Sequence, residues 1–174
     1  MRSVFERTRG LKLMAFDVDG VLTDGTLHLS GSGEEAKAFH TVDGLGMKLL
    51  HAAGVELALI SGRRSGVVAA RATELGIEHV FQASDDKLAT LEALRGRLQL
   101  PLVACGYMGD DLPDLPLLVR CGFAATVPEA PDAVRERVHY VCRKSAGRGA
   151  VREVCELILA AQGALDAAIR RYLA

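Results

Sequence analysis

The chain has 174 residues, a length that suits one domain with a full hydrophobic core. Apolar residues make up 49% and charged residues 25%, and the net charge of −1 excludes a general attraction to nucleic acid or to an anionic membrane. No apolar run approaches the length of a membrane span, and the N-terminus lacks the apolar core of a signal peptide. We therefore expect one cytoplasmic domain over residues 1–174, without a nucleic-acid or membrane partner.

Short apolar runs alternate with longer amphipathic stretches from residue 11 onward. The short runs predict strands at Leu11–Asp17, Val55–Ile60, His79–Gln82, Leu102–Tyr107, Phe123–Thr126 and Tyr140–Cys142. The longer stretches predict helices at Gly44–Ala53, Arg64–Leu75, Lys87–Leu98, Pro113–Cys121, Pro131–Arg135 and Ala150–Leu173. This alternation indicates an α/β fold, a three-layer Rossmann-like arrangement in which helices cover both faces of a parallel sheet.

The segment between the first strand and the first helix breaks this alternation. Thr26–Ser30 and Ala36–His40 flank the sequence Gly-Ser-Gly-Glu, which is the pattern of a β-hairpin with a glycine-rich turn. An ordinary surface hairpin is one interpretation, and a flap or interface element beside the site is the other. We favour the second, because an isolated two-stranded ribbon is marginally stable in water and needs something to pack against.

The cysteines form no recognisable metal or redox motif. They contain no CxxC pair and stand at Cys105, Cys121, Cys142 and Cys155. Disulfide or metal roles are open, but buried free thiols in a reducing cytoplasm are the expected state.

Polar side chains stand at or just beyond the carboxyl ends of the predicted strands, where ligands bind in open α/β sheets. Asp17 and Asp19 lie at the end of the first strand, and Asp110 follows the fourth. Ser61 follows the second strand, and Lys87 begins a helix. We expect these side chains to meet at one edge of the sheet.

Each of these residue types suits a part of phosphoryl transfer. A carboxylate nucleophile forms an acyl-phosphate and splits one difficult displacement into two easier ones. A second carboxylate donates a proton to the leaving alkoxide and then activates water. Mg²⁺ takes oxygen ligands and neutralises phosphate charge, while a hydroxyl and an ammonium bind the remaining phosphoryl oxygens.

Each pattern by itself has a plainer interpretation. Asp-x-Asp-Gly is often a turn or part of a calcium loop, Ser61 could cap a helix, and Lys87 could be a solvated surface lysine. Their occurrence together, in this order along the chain, favours Mg²⁺-dependent phosphoryl transfer to an aspartate.

Four motifs carry a family resemblance: DVDGVLTDG at 17–25, ISGR at 60–63, SDDK at 84–87 and GDDLPD at 109–114. With them the chain resembles the haloacid dehalogenase superfamily of aspartyl-phosphate phosphatases. Within that superfamily it resembles the 3-deoxy-D-manno-octulosonate (KDO) 8-phosphate phosphatase family over about residues 11–165. Three further strings carry this closer resemblance: GEEAKAFH at 33–40, VDGLGMKLL at 42–50 and GRGAVREVCELILAAQG at 147–163.

The resemblance implies a role for each carboxylate of the motifs. Asp17 would be the nucleophile and Asp19 the general acid and base. Mg²⁺ would bind the side chains of Asp17 and Asp110 and the backbone carbonyl of Asp19. Asp111 would be a partner further out, bridged to the metal by water.

The resemblance also implies which residues hold the phosphoryl group. Ser61, Gly62 and Lys87 would bind its oxygens, and Asp114 would orient Lys87. The family hydrolyses KDO 8-phosphate to KDO and phosphate during lipopolysaccharide precursor synthesis, so the same reaction is the expectation for this chain.

A cap domain does not fit this chain. Only about forty residues separate Asp19 from Ser61, and sheet elements and the hairpin occupy them. Capless members of the superfamily form tetramers in which a neighbouring subunit closes the site. The resemblance therefore implies a homo-oligomer, a tetramer by expectation, with the hairpin at the interface.

The expected substrate is a small phosphorylated sugar acid, which carries a phosphate monoester and a carboxylate. Arginine matches a carboxylate in a bidentate fork, so Arg63, Arg71 and Arg148 are the candidates for binding the sugar acid. Arg64 and Arg152 are interpreted as solvated side chains.

Two alternatives remain open from the sequence. Phosphatases of nine-carbon sialic-type sugar acid 9-phosphates share the four motifs, but they tend to carry Glu at the position of Arg63 and Lys at that of Glu74. Both positions favour the eight-carbon substrate here. A non-catalytic oligomerisation domain is the other alternative, and it is disfavoured because every catalytic position is filled.

Overall fold

The computed structural model of the protein describes residues 3–173. Its strands are β1 (Leu13–Phe16), β2 (His28–Leu29), β3 (Glu35–Ala36), β4 (Glu56–Ile60), β5 (His79–Phe81), β6 (Cys105–Met108), β7 (Phe123–Thr126) and β8 (Tyr140–Val141). In this part of the chain six of them form one parallel sheet in the order β5-β4-β1-β6-β7-β8. The six predicted sheet strands are thus confirmed.

Helices cover both faces of the sheet, as the alternation predicted. They are α1 (Val4–Arg9), α2 (Thr41–Ala52), α3 (Gly66–Leu75), α4 (Lys87–Arg97), α5 (Leu115–Leu118), α6 (Asp132–Arg135), α7 (Ala150–Ala161) and α8 (Leu165–Arg170). α2 packs against α3 and α7, whereas α4 packs against α5, which is the separation that right-handed crossovers produce. Over residues 3–173, no helix is both long and apolar enough to cross a membrane.

The structure corrects several element boundaries. Helix α1 was not predicted; a capping box between Ser3 and Glu6 begins it. Leu102–Ala104, predicted as strand, forms a 3₁₀ turn, and so does Leu112–Asp114 ahead of the short α5. The predicted helix Ala150–Leu173 breaks into α7 and α8 at Gly163, whose φ of 70° is left-handed.

The middle of the sheet positions the candidate site. β1 lies between β4 and β6. From β1 the chain runs to β4 and β5 on one side and then crosses to β6 on the other side, so a crevice opens at the carboxyl ends of β1, β4 and β6. All four residues of β1 and all four of β6 are buried. Each large apolar side chain buried there contributes about 1.5–3 kcal/mol to folding, which fixes the strands that carry the site.

The predicted hairpin is confirmed, although its strands are short. β2 and β3 pair antiparallel over two residues each, with His28 opposite Ala36 and Leu29 opposite Glu35. Residues Thr26–His40 are called the flap below. Leu27 and Leu29 on the flap are 42% and 62% exposed.

All four cysteines are buried free thiols within the described chain, as the sequence predicted. Burial raises the pKa of the Cys105 thiol to about 11, so it stays protonated near neutral pH.

Candidate active site

Asp17 and Lys87 form a buried ion pair at the carboxyl edge of the sheet. Asp17 directly follows β1, and its Oδ2 accepts a hydrogen bond from Lys87 Nζ at 2.6 Å. Its Oδ1 accepts the backbone N–H of Val18 at 2.7 Å. Lys87 is the first residue of α4, a helix that begins there because the Asp86 carboxylate accepts the N–H of Ala89 at 2.9 Å.

Asp114 ties this pair to the loop after β6. Its Oδ1 accepts from Lys87 Nζ and from the Tyr107 hydroxyl, each at 2.7 Å. Its Oδ2 accepts the backbone N–H groups of Asp110 and Asp111 at 3.0 and 3.2 Å. Each Asp114 oxygen therefore already has two donors, and Lys87 is held between two carboxylates.

The charges around Lys87 keep it an ammonium. Burial alone would lower the pKa of Lys87, but the carboxylates of Asp17 and Asp114 outweigh that effect and raise it. A permanent cation next to Asp17 suits a site that receives an anionic phosphoryl group.

Carboxylates crowd at one point of this edge. Oxygens of Asp17, Asp110 and Asp114 lie within 4.8 Å of one another. Burial, and after it the negative charge of Asp17, raises the pKa of Asp110 to about 7. Burial, and after it the negative charge of Asp114, raises the pKa of Asp17. A divalent cation would relieve this repulsion, and hard oxygen donors are what Mg²⁺ prefers. Each Asp114 oxygen already accepts two hydrogen bonds, whereas each Asp17 oxygen accepts one, so Asp17 and Asp110 are the side chains that fit as ligands.

Two glycines allow the carboxylates of the site to pack this closely. Gly20 has a φ of 84°, and a Cβ at this position would lie 2.1 Å from Asp110 Oδ2. A Cβ on Gly109 would lie 2.4 Å from Asp114 Cγ. A side chain at Gly20 would push the loops after β1 and β6 apart, and one at Gly109 would displace Asp114 within the loop after β6.

Ser61 completes the cavity from the side of β4. It is buried, and its hydroxyl accepts the N–H of Arg63 at 3.2 Å. Ala83, with a φ of 53°, and Ser84 donate backbone N–H groups to the carbonyls of Arg63 and Ser61 at 3.2 and 3.0 Å. The resulting cavity of about 220 Å³ is lined by Asp17, Asp19, Ser61, Gly62, Arg63, Lys87, Asp110, Asp111, Pro113 and Asp114.

Comparison with known proteins assigns the chain to a family. A 3-deoxy-D-manno-octulosonate 8-phosphate phosphatase of Yersinia pestis is 41% identical over 165 residues, which cover 95% of this chain and 88% of that protein. The chain belongs to the KDO 8-phosphate phosphatase family. The resemblance drawn from the motifs is therefore confirmed, although no protein-family model matches the chain.

Solved structures agree with membership in the KDO 8-phosphate phosphatase family. A Moraxella catarrhalis KDO 8-phosphate phosphatase, crystallised with magnesium ion, phosphate ion and KDO, superposes with a TM-score of 0.96 at 46% identity, covering 97% of each chain. A Legionella pneumophila structure described as a haloacid dehalogenase superfamily hydrolase gives a TM-score of 0.94 at 42% identity, covering 98% of this chain and 93% of that one.

Two flap residues that contact site residues, Glu35 and Lys37, were not identified from the sequence. The Lys37 side chain is 1% exposed and forms ion pairs with Asp19 Oδ1 and, at 3.2 Å, with Glu35 Oε1. Arg63 Nη2 contacts the same Glu35 oxygen at 3.2 Å, and Arg63 Nε lies 3.6 Å from Asp19 Oδ2. We call these four side chains the flap cluster. The sequence offered one signal for these contacts: the hairpin follows the first carboxylate motif directly and carries charged residues. Charged side chains on a hairpin are ordinarily solvated, so that signal alone did not indicate a contact with Asp19.

The other arginines proposed for substrate binding lie farther from this cavity. Arg71 on α3 pairs with Glu74 at 2.8 Å and lies 5.9 Å from the centre of the Phe39 ring. Arg148 lines a neighbouring cavity of about 380 Å³, whose wall includes Asp110. Their roles stay predictions. Arg64 is exposed, as expected of a solvated side chain, but the same expectation was wrong for Arg152, whose side chain is only 20% exposed because its Nε pairs with Glu156 Oε1 at 2.7 Å.

Proposed function

We propose that this protein hydrolyses KDO 8-phosphate to KDO and inorganic phosphate in lipopolysaccharide precursor synthesis, with Mg²⁺ as its cofactor. The observation that carries the proposal is the convergence of Asp17, Ser61, Lys87 and Asp110 on one cavity. The close similarity to a phosphatase crystallised with magnesium, phosphate and KDO supports the substrate.

The reaction divides into two displacements at phosphorus. A carboxylate oxygen of Asp17 attacks the phosphorus, the bond to the sugar oxygen breaks, and the leaving alkoxide takes a proton from Asp19. Water then gives its proton to the Asp19 carboxylate and attacks the acyl-phosphate, which releases phosphate and regenerates Asp17. Lys87 and Ser61 bind the phosphoryl oxygens throughout.

Magnesium would be held by the side chains of Asp17 and Asp110 and by the backbone carbonyl of Asp19, and it would supply positive charge that lets an anionic nucleophile approach an anionic phosphate. Asp111 lines the same cavity and would reach the metal through water. Asp114 positions its neighbours, because its four hydrogen bonds fix Lys87 and the loop that carries Asp110.

The proposal extends to substrate specificity and assembly. Arg63, with Gly62, stands at the rim of the cavity, and Arg148 and Arg71 are assigned to the sugar acid. The protein acts as one cytoplasmic domain that assembles into a homotetramer through the flap. Exposed leucines on the flap support that assembly, since apolar side chains in water favour association.

The deciding experiment is phosphate release from KDO 8-phosphate with Mg²⁺, with EDTA, and with a nine-carbon sugar acid 9-phosphate. We expect activity that EDTA abolishes and Mg²⁺ restores, with the higher kcat/KM on KDO 8-phosphate. A higher kcat/KM on the nine-carbon substrate would reassign the substrate. Absence of hydrolysis on both, and on p-nitrophenyl phosphate, would favour the oligomerisation domain.

The nucleophile has its own test. Asp17→Asn should keep the fold and lower kcat by at least about 10⁴-fold, because an amide cannot form the acyl-phosphate. Asp166→Asn, the same exchange at an exposed position on α8, is the matched control and should be fully active. Ordinary turnover by Asp17→Asn would reject an aspartyl-phosphate intermediate on this residue.

A further inference from the structure

The flap cluster joins the proposed general acid to the hairpin. Asp19 and Arg63 come from the loops after β1 and β4, whereas Glu35 and Lys37 come from β3 and the residue just beyond it. The four side chains alternate in charge around a closed ring of contacts. We infer that Lys37 is a positioning residue that holds the Asp19 carboxylate toward the cavity for proton transfer.

Lys37 is the more deeply buried of the two cations in this ring. Its side chain is 1% exposed, against 48% for Arg63. A buried ammonium without carboxylate partners would carry a large desolvation penalty, so Lys37 stays in place only while it is paired. The pair with Glu35 in turn fixes Lys37, since the Glu35 side chain is only 14% exposed.

The consequence for Asp19 is a restricted rotamer. Lys37 binds one carboxylate oxygen, and Arg63 lies near the other, so rotation of the carboxylate group breaks at least one ion pair. A proton donor works only within hydrogen-bond reach of the atom it protonates, so a restricted donor protects the rate. Lys37 is not among the residues that line the cavity, so it would act through Asp19.

The inference rests on the proposed phosphatase activity, and its test exploits the leaving group. An alkoxide needs a proton from Asp19 to leave, whereas p-nitrophenolate leaves as a stable anion. A series of phosphate monoesters from alkyl to p-nitrophenyl should therefore separate proton donation from all other functions of the site. The quantity to compare is kcat/KM, which reports the steps up to release of the alcohol.

Lys37→Met should lower kcat/KM by about 30-fold or more for alkyl phosphates and by about threefold or less for p-nitrophenyl phosphate, as expected when general acid catalysis is impaired. Lys37→Arg should recover most of the alkyl activity. Lys12→Met is the matched control and should behave as wild type, because Lys12 is an exposed lysine at the amino end of β1, away from the carboxyl ends of the strands. Glu35→Gln should show the same selectivity for poor leaving groups, and it carries the test should Lys37→Met not fold.

A double-mutant cycle with Asp19→Asn provides the second readout. A residue that acts through Asp19 adds little further loss in alkyl phosphate hydrolysis once Asp19 is gone. Additive losses would overturn the inference and make Lys37 a substrate-binding or purely structural residue. An equal loss across all esters, or no loss, would overturn it too while leaving the phosphatase proposal standing. A wild-type protein inactive on every ester would reject both.

Discussion

The loops around Asp17 bury their polar groups inside a single chain, whereas the flap leaves apolar side chains in water. Asp114 satisfies four donors within its own subunit, and Tyr107 beneath it is fully buried. On the flap, Leu29 is 62% exposed and pairs only through a two-residue ribbon. The first region satisfies its polar groups within one chain, and the second exposes the surface through which we propose that the protein assembles.

Lys37 is the point at which these two regions meet. It belongs to the flap, yet its side chain is buried against Asp19. Anything that covers or shifts the flap therefore acts on the position of the proposed general acid. This difference teaches that changes around Asp17 should alter the chemical step or stability directly, while changes on the flap should act through assembly or through the position of Asp19.

The largest expected effect on the buried region comes from Asp110→Asn. The variant should lose Mg²⁺ binding and nearly all activity, because an amide is a weak ligand without charge. It should nevertheless be more stable than wild type in the absence of metal, since it removes one of several crowded carboxylates. Calorimetry of Mg²⁺ binding and thermal unfolding in EDTA measure the two effects. Lower stability of the metal-free variant would show that the crowding is not repulsive.

The raised pKa of Asp110 gives this prediction a pH dependence. Its pKa in the folded, metal-free protein is about 7, above the ordinary 3.8, so folding takes up a proton in that window. This group therefore makes the metal-free protein more stable as pH falls from about 7 toward 4. Mg²⁺ competes with that proton, so the acid limb of the activity profile should move to lower pH as Mg²⁺ is raised. Asp110→Asn should flatten the pH dependence of stability.

A smaller effect is expected at Arg63, at the border of the two regions. Losing a charge-assisted hydrogen bond costs ~1.5–3 kcal/mol, so Arg63→Ala should lower kcat/KM for KDO 8-phosphate by roughly ten- to a hundredfold. Hydrolysis of p-nitrophenyl phosphate should change little, because it carries no sugar acid and its leaving group needs no proton. Simple alkyl phosphates should lose less activity than KDO 8-phosphate, because they carry no sugar acid and Arg63 lies 3.6 Å from only one oxygen of Asp19. That selectivity distinguishes Arg63 from Lys37. Equal losses on every ester would place Arg63 on the phosphoryl group instead.

The sequence predicted the buried region far better than the flap cluster. Buried strands are continuous apolar runs, and parallel strands bring their carboxyl ends together, so the meeting of Asp17, Ser61 and Asp110 could be expected from pattern alone. The contact between Lys37 and Asp19 depends on side-chain rotamers and on the path of the flap, which hydrophobic periodicity does not encode. The helix break at Gly163 was missed for a related reason: apolar spacing continues across it.

Tyr107→Phe tests how far the buried region depends on its hydrogen bonds. The exchange keeps the ring and removes only the hydroxyl that donates to Asp114 at 2.7 Å. We expect the free energy of unfolding to fall by about 1.5–3 kcal/mol, because the acceptor is charged and buried. Denaturant unfolding measures this loss. Tyr172→Phe, where the tyrosine is 64% exposed, is the control, and an equal effect there would deny the buried hydrogen bond any special weight.

The smallest effect on folding, and the one most specific to the flap, is expected from Leu29→Ser. An exposed side chain can be replaced with a change in the free energy of unfolding of a single subunit within about 0.5 kcal/mol. The same exchange should weaken assembly, because it removes apolar area that we propose to be covered in the tetramer. Sedimentation across a concentration series measures the dissociation, and specific activity should fall as tetramers are lost. Val119→Ser is the matched control, since Val119 is 53% exposed but lies away from the flap. Unchanged sedimentation of Leu29→Ser would remove the flap from the interface, and an effect of Val119→Ser alone would move the interface to the α5 side of the sheet.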